Sequence, residues 1–304
     1  MLTRREAIQL GLLAAAGGRL ARADKPPPAI LTRPIPSSGE KLPVIGLGTN
    51  RFGVTEASEL AARREVLKRL PQLGGSVVDT APGYGRSEEV IGQLVGEIGN
   101  REKLWIATKV TMEGDPAAGR KMLDDSFQRL RTKKIELIQV HNLKGVEPLL
   151  PVLREQKKAG RFRYLGVTTS NDEQYDALLA IMRKETLDFI QVDYSVGDRG
   201  AADKILPLAA DRGMAVLINR PLGGARGSVL AKVKDKPLPD WAAEIDARSH
   251  AQLALKYVVS HPAVTVAIPG TTNVAHLEDN LGALRGRLPD AALRKRIETH
   301  FDGL

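Results

Sequence analysis

The 304-residue sequence contains no cysteine, which removes disulfides, thiolate metal sites and a cysteine nucleophile in one step. Histidine is scarce too, at five residues, and His250, His261, His276 and His300 show no H-x-x-E-H or comparable ligand spacing, so no metal is expected. Aromatics make up only 4 % and no dense basic stripe runs through the chain, which argues against a nucleic-acid surface despite a formal charge of +9. Part of that charge, Arg4, Arg5, Arg19 and Arg22 against Glu6, belongs to the first 23 residues alone. No apolar run is long enough to hold a stable membrane span. What is present, 42 % hydrophobic and 27 % charged residues, is ordinary for a globular protein.

Residues 1–23 read as a removable export signal: a paired Arg4-Arg5, a mildly apolar run from Leu10 to Gly18, and Ala21 and Ala23 in an A-x-A arrangement. The pair resembles the bacterial twin-arginine signal, although Ala7 and Gln9 stand where that pattern carries an aromatic or leucine and a lysine. The expectation is export to the periplasm through the twin-arginine machinery, with a cytoplasmic protein as the alternative. Residues 24–36 read as a Pro-rich linker and 37–304 as the folded domain.

Short runs rich in Val and Ile then recur: "VIGLGT" from 44, "SVVDT" from 76, "LWIATKV" from 104, "IELIQVHN" from 135, "YLGVTTS" from 164, "FIQVDYS" from 189, "AVLINRP" from 215 and "VTVAIPG" from 264. They lack polar alternation, as strands buried on both faces do. Helical spacing fills the gaps, as in Leu123, Phe127 and Leu130 or Val274, Leu277, Leu281 and Leu284. Eight such units predict an α/β chain closed into a (β/α)8 barrel, and the absence of G-x-G-x-x-G after the first strand weakens a doubly wound alternative. The long last interval marks an extra segment, about 222–247, over one barrel end. Ser37-Ser38-Gly39 between two extended stretches predicts a hairpin closing the barrel bottom.

Active sites of such barrels form at the C-terminal strand ends. Asp79, Lys109 and His141 end the second, third and fourth runs, and Tyr84 follows Asp79 in a Pro/Gly turn. Each has a plain reading alone: a turn residue, a loop aromatic, a surface cation, a strand-end histidine. Together they are suited to one task. Lys109 beside Tyr84 would favour the phenolate and lower the tyrosine pKa, Asp79 would hold Lys109, and His141 would donate to the oxygen that Tyr84 protonates. No side chain delivers hydride, so a nicotinamide or flavin is implied.

The sequence resembles the aldo-keto reductase family through "GLGT" at 46–49, "DTAPGYGRSEEVIG" at 79–92, "ATKV" at 107–110, "VH" at 140–141 and "IPGTTNVAHLEDNLGAL" at 268–284. The resemblance implies a catalytic tetrad of Asp79, Tyr84, Lys109 and His141, with Tyr84 as proton donor. It further implies a groove for NADP(H), or for NAD(H), along Thr49, Asn50, Thr168, Thr169, Gln191, Arg220, Leu222, Gly223, Gly270, Thr271, Thr272, His276, Asp279 and Asn280. Where the family commonly has Ser-Asn after the fifth strand, this chain has Thr168-Thr169, and Asn219 stands for an aromatic. Gly270, Thr272 and His276 occupy places where many members carry lysine or arginine for the adenosine 2′-phosphate, with Arg220 or Arg226 able to compensate. The implied partner is a small carbonyl or alcohol substrate. The second function class is a nicotinamide-binding sensor or partner protein with little turnover.

Overall fold

The computed structural model describes residues 29–111, 115–224 and 227–304; the expected signal at 1–23, the start of the linker and Arg226 lie outside the described residues. The first element is an antiparallel hairpin, β1 (Thr32–Pro34) with β2 (Lys41–Pro43), turned at Gly39 with φ of 74°. Its first strand falls inside the stretch 24–36 that reads as a linker. Proline content suggested a tether there, but Pro34 ends an edge strand, where a missing N–H costs no ladder bond.

The eight apolar runs supply the strands of one parallel sheet: β3 (Leu47–Gly48), β4 (Val77–Asp79), β5 (Trp105–Val110), β6 (Ile135–Val140), β7 (Phe162–Thr168), β8 (Phe189–Asp193), β9 (Ala215–Asn219) and, after two short strands introduced below, β12 (Val266–Ala267). Bridges Ile45–Ala267 and Gly48–Gly270 join the first strand to the last, closing the barrel. Parallel neighbours need long crossovers, which the helices provide. These are α1 (Ala57–Gln72), α2 (Ser87–Ile98), α3 (Pro116–Arg129), α4 (Val146–Lys158), α5 (Tyr175–Lys184) and α6 (Ala201–Asp211). Residues 222–247 carry β10 (Gly223–Gly224) paired with β11 (Gly227–Ser228), then α7 (Val229–Lys232). The chain ends through α8 (His250–Ser260), α9 (Val274–Gly282) and α10 (Ala291–Asp302). Among the described residues no helix is long and apolar enough to cross a membrane.

The period of two along a strand decides what faces where. Val77, Trp105, Ala107, Leu137, Tyr164, Phe189, Leu217 and Val266 fill the interior with Ile35 and Leu42 from the hairpin, so the hairpin plugs the N-terminal end. Burying Trp105, Tyr164 and Phe189, whose rings lie 5.5–6.0 Å apart, is worth about 1.5–3 kcal/mol for each large apolar side chain. The alternate positions, such as Val78, Ile106, Ile138, Val140, Ile190 and Val216, face the helices. Both sides of each strand are therefore apolar, which is why the runs show no alternation. Two residues beyond Val77, Ala107, Phe189 and Leu217 the same inward face carries Asp79, Lys109, Gln191 and Asn219. The helices must also sit close: a Cβ on Gly92 of α2 would lie 2.2 Å from the carbonyl oxygen of Arg129 in α3.

Candidate active site

The turn after β4 is fixed before any ligand arrives. The Tyr84 N–H donates to the Ala81 carbonyl (3.1 Å) and the Ser87 N–H to the Tyr84 carbonyl (3.3 Å), while Gly85 takes φ of 60°. Ser87, the first residue of α2, hydrogen-bonds Thr80 Oγ1 (3.0 Å) and the Thr49 carbonyl (3.0 Å). Thr49 Oγ1 donates to the Asp79 carbonyl (2.8 Å). The Tyr84 loop is thereby tied to both β3 and β4.

Beneath it lies a buried ion pair. Lys109 Nζ donates to Asp79 Oδ2 (2.7 Å) and to the Thr80 carbonyl (2.8 Å), with side-chain exposures of 1 % for the lysine and 4 % for the aspartate. Gln191 Nε2 donates to the other Asp79 oxygen at 3.0 Å. The ammonium stands 4.9 Å from the centre of the Tyr84 ring. Burial favours the neutral amine, yet Asp79 and Tyr84 outweigh it and hold the Lys109 pKa above its ordinary value. Burial pushes the Asp79 carboxyl up, against the pull of Lys109.

For Tyr84 the balance corrects the sequence expectation. Burial raises the phenol pKa by more than Lys109 lowers it, so the net direction is upward. A low-dielectric cleft penalises the phenolate itself, a cost that the residue types alone do not reveal. The consequence is a phenol that stays protonated at neutral pH, which is the form a proton donor needs.

His141 packs edge-on to Tyr84, ring centres 5.9 Å apart at 85°. Burial first, then the charges of Lys109 and Lys144, push its imidazole down to about 4. It is a neutral donor at working pH. The turnover profile is therefore expected to stay flat through about pH 6.5, where an ordinary histidine titrates; a break there in kcat would count against this state. Between about pH 4 and 6.5 the unfolded chain binds a proton that folded His141 does not, so this contribution to stability is complete above 6.5 and is lost as pH falls toward 4. Denaturant midpoints above and below that window measure the decline, to which His261, also lowered to about 4, adds.

Asp79, Tyr84 and His141 open into a cleft of about 860 Å³ that also takes in Thr49, Asn50, Thr168, Gln191, Arg220, Leu222, Gly223, Gly270, Thr271, Thr272, His276, Asp279 and Asn280. Lys109 lies behind Asp79 rather than on the wall. Of the residues expected in the groove, only Thr169 is kept off the cleft: it is fully buried, its Oγ1 donates to Gln174 Oε1 (2.6 Å) and its carbonyl accepts from Asn219 Nδ2 (2.9 Å). Thr169 thus orients Asn219, which lines the wall with a buried Oδ1 that no described residue satisfies. Thr168 Oγ1 accepts from the Asn142 N–H (3.0 Å). Arg220, at φ of 48°, donates to the Ser170 carbonyl (2.8 Å). Asp279 is spent on structure, accepting from Ser249 Oγ and Gln252 Nε2 at 2.8 Å each. Asn273 caps α9, taking the Ala275 and His276 N–H groups at 2.8 and 3.3 Å.

Sequence reasoning passed over Asn142, Ser228, Leu230 and Ala251, which also line the cleft. Asn142 follows His141 directly and at φ of 52° takes the left-handed conformation that asparagine tolerates, the one signal that could have marked it. Leu230 and Ala251 come from the extra segment and the start of α8, and no local pattern announces that they reach the mouth.

Three comparisons bear on this arrangement. Residues 44–295 match the profile of the Aldo/keto reductase family. Aldo-keto reductase YhdN of Bacillus subtilis is 29 % identical over 218 residues, 66 % of this chain and 64 % of that protein. The NADP(+) aldo-keto reductase yakc of Schizosaccharomyces pombe is 25 % identical over 314 residues, 88 % of this chain and 90 % of the relative. An aldo-keto reductase of Klebsiella pneumoniae, solved with NADPH, shares the fold with a TM-score of 0.70 at 24 % identity, covering 86 % of this chain and 92 % of that one.

Proposed function

The chain belongs to the aldo/keto reductase family, and from that premise we propose that it reduces a carbonyl compound to the alcohol with NADP(H), Tyr84 giving the proton. The observation that carries the reading is the buried Lys109–Asp79 pair held under Tyr84, 2.7 Å apart, at the floor of a cleft large enough for a dinucleotide. Ligand pockets commonly span about 300–1,000 Å³. The walls fit the cofactor. Asn219 offers a buried acceptor without a partner among the described residues, and Gly270 keeps the turn after β12 bare where a Cβ would press on Asn50 Oδ1 at 3.1 Å.

Asn219, Gln191 and Thr168 would hold the nicotinamide end, and Arg220 with the Gly270–Thr272 turn the phosphate-bearing end. A reduced nicotinamide, when bound there, supplies hydride to the carbonyl carbon. The chain does the rest: His141 and Tyr84 orient the carbonyl oxygen, Tyr84 transfers its proton as negative charge develops on that oxygen, and Lys109 stabilises the phenolate left behind. Solvent then returns a proton to Tyr84. An intact Asp79–Lys109–Tyr84–His141 set favours turnover over a binding-only role. Steady oxidation of NADPH by the protein with a generic aldehyde tests the reading; tight cofactor binding with no turnover across a carbonyl panel would refute it.

We also propose export through the twin-arginine route, on the strength of Arg4-Arg5 before a weakly apolar run and of Ala21 and Ala23. Arg4→Lys with Arg5→Lys is expected to leave full-length precursor in the cytoplasmic fraction. Unchanged export of that variant would remove the twin-arginine assignment and leave the reductase assignment standing.

A further inference from the structure

The loop after β3 lines the cleft through Thr49, Asn50, Arg51 and Phe52. At one end Asn50 faces Gly270, three residues beyond β12; at the other a Cβ on Gly53 would lie 2.7 Å from Arg86 N and 2.9 Å from the Tyr84 carbonyl oxygen, so the loop rests on the Tyr84 turn. Arg51 stands between. Its backbone is held from both sides, since its carbonyl accepts from Arg63 Nη2 (3.0 Å), the Phe52 N–H donates to the Thr49 carbonyl (3.0 Å), and Phe52 is fully buried. The Arg51 side chain, by contrast, is exposed, lines the cleft, and makes no hydrogen bond or ion pair among the described residues.

The charges around it are already accounted for. Asp79 is paired with Lys109, Asp279 is bound to Ser249 and Gln252, and no other carboxylate lines the cleft among the described residues. Besides Tyr84 and His141, the cleft lining includes the polar side chains of Asn50, Arg51, Asn142 and Ser170. The aliphatic lining comes from Leu222 and Leu230 of the extra segment, Ala251 of α8 and Ile268 just after β12. A guanidinium on a fixed loop, with no anion to satisfy it among the described residues, is a fork for a carboxylate or a phosphate.

We propose that the substrate is a small carbonyl compound bearing an anionic group, carboxylate or phosphate, which Arg51 binds while Tyr84 protonates the carbonyl oxygen; this rests on the reductase reading. The test compares kcat/KM for two pairs that differ in the anion: succinic semialdehyde against butanal, and glyceraldehyde 3-phosphate against glyceraldehyde. Wild type is expected to favour the charged member of at least one pair by about tenfold or more, the scale of a charge-assisted hydrogen bond, and the favoured pair identifies the anion. Arg51→Met should collapse that ratio toward one, and should weaken by a similar factor the calorimetric binding of the matching inert anion, succinate or glycerol 3-phosphate, to protein loaded with NADP. Equal kcat/KM within both pairs would overturn the inference and leave the reductase reading intact. So would an Arg51→Met variant that keeps the ratio and loses only affinity for NADPH, which would make Arg51 a cofactor contact. No turnover of any of the four compounds by wild type would overturn the reductase reading and the inference together.

Discussion

Replacing Tyr84 by phenylalanine is expected to lower kcat for carbonyl reduction by about 10²–10⁴-fold, the contribution of a positioned general acid. The change deletes one hydroxyl and little else. The ring keeps its edge-on contact with His141 and its place 4.9 Å from the Lys109 ammonium, so the loop has no reason to move. Affinity for NADPH should stay within a few-fold, placing the loss in kcat rather than in binding. Steady-state kinetics with a fluorescence titration of NADPH separates the two, and a variant keeping more than about a tenth of wild-type kcat would rule out acid catalysis by this phenol. Because burial holds the Tyr84 pKa above its ordinary value, the wild-type reduction rate should also persist toward pH 10 before the acid is lost.

Lys109→Met should damage both turnover and the fold. The substitution leaves the Asp79 carboxylate buried with Gln191 as its remaining side-chain partner, and breaking a buried pair from one side costs about 3–5 kcal/mol. Turnover falls for a different reason: the phenolate that forms at Tyr84 loses its neighbouring positive charge. The double variant Asp79→Asn, Lys109→Met separates these effects, since it removes the uncompensated charge without restoring the ammonium. Urea denaturation is expected to show stability partly recovered in the double variant, while kcat stays as low as in the single one. A single variant of unchanged stability would mean that the pair is not closed off from solvent.

Much of the barrel was legible because double-sided burial leaves a one-dimensional trace. Runs such as "LWIATKV" and "FIQVDYS" are apolar at consecutive positions only if both faces are covered, and their count gave the architecture. The polar residues two steps beyond the interior positions were legible for the same reason, because a strand keeps its inward face to its last residue. Three things left no such trace. The direction of the Tyr84 pKa depends on how much surface the closed cleft removes from water, which is a property of several loops at once. The turn of Thr169 away from the cleft is decided by Gln174, five residues on, and by Asn219, fifty residues on. The strand hidden in the proline-rich stretch forms only because β2 and the barrel floor are there to receive it.

That hairpin has a consequence for the order in which the chain folds. Thr32–Pro34 and Lys41–Pro43 leave the ribosome before any barrel strand, yet Ile35 and Leu42 pack against side chains drawn from Val77 to Ile268. Arg33 donates to the carbonyls of Val259 and Pro262, and the Leu31 N–H to that of Leu284, so the beginning of the fold is anchored to its end. Contacts spanning more than two hundred residues form late, because the chain must first close so large a loop. The floor of the barrel is thus expected to seal late, and a chain that has not yet closed it would leave Trp105, Tyr164 and Phe189 uncovered by Ile35 and Leu42.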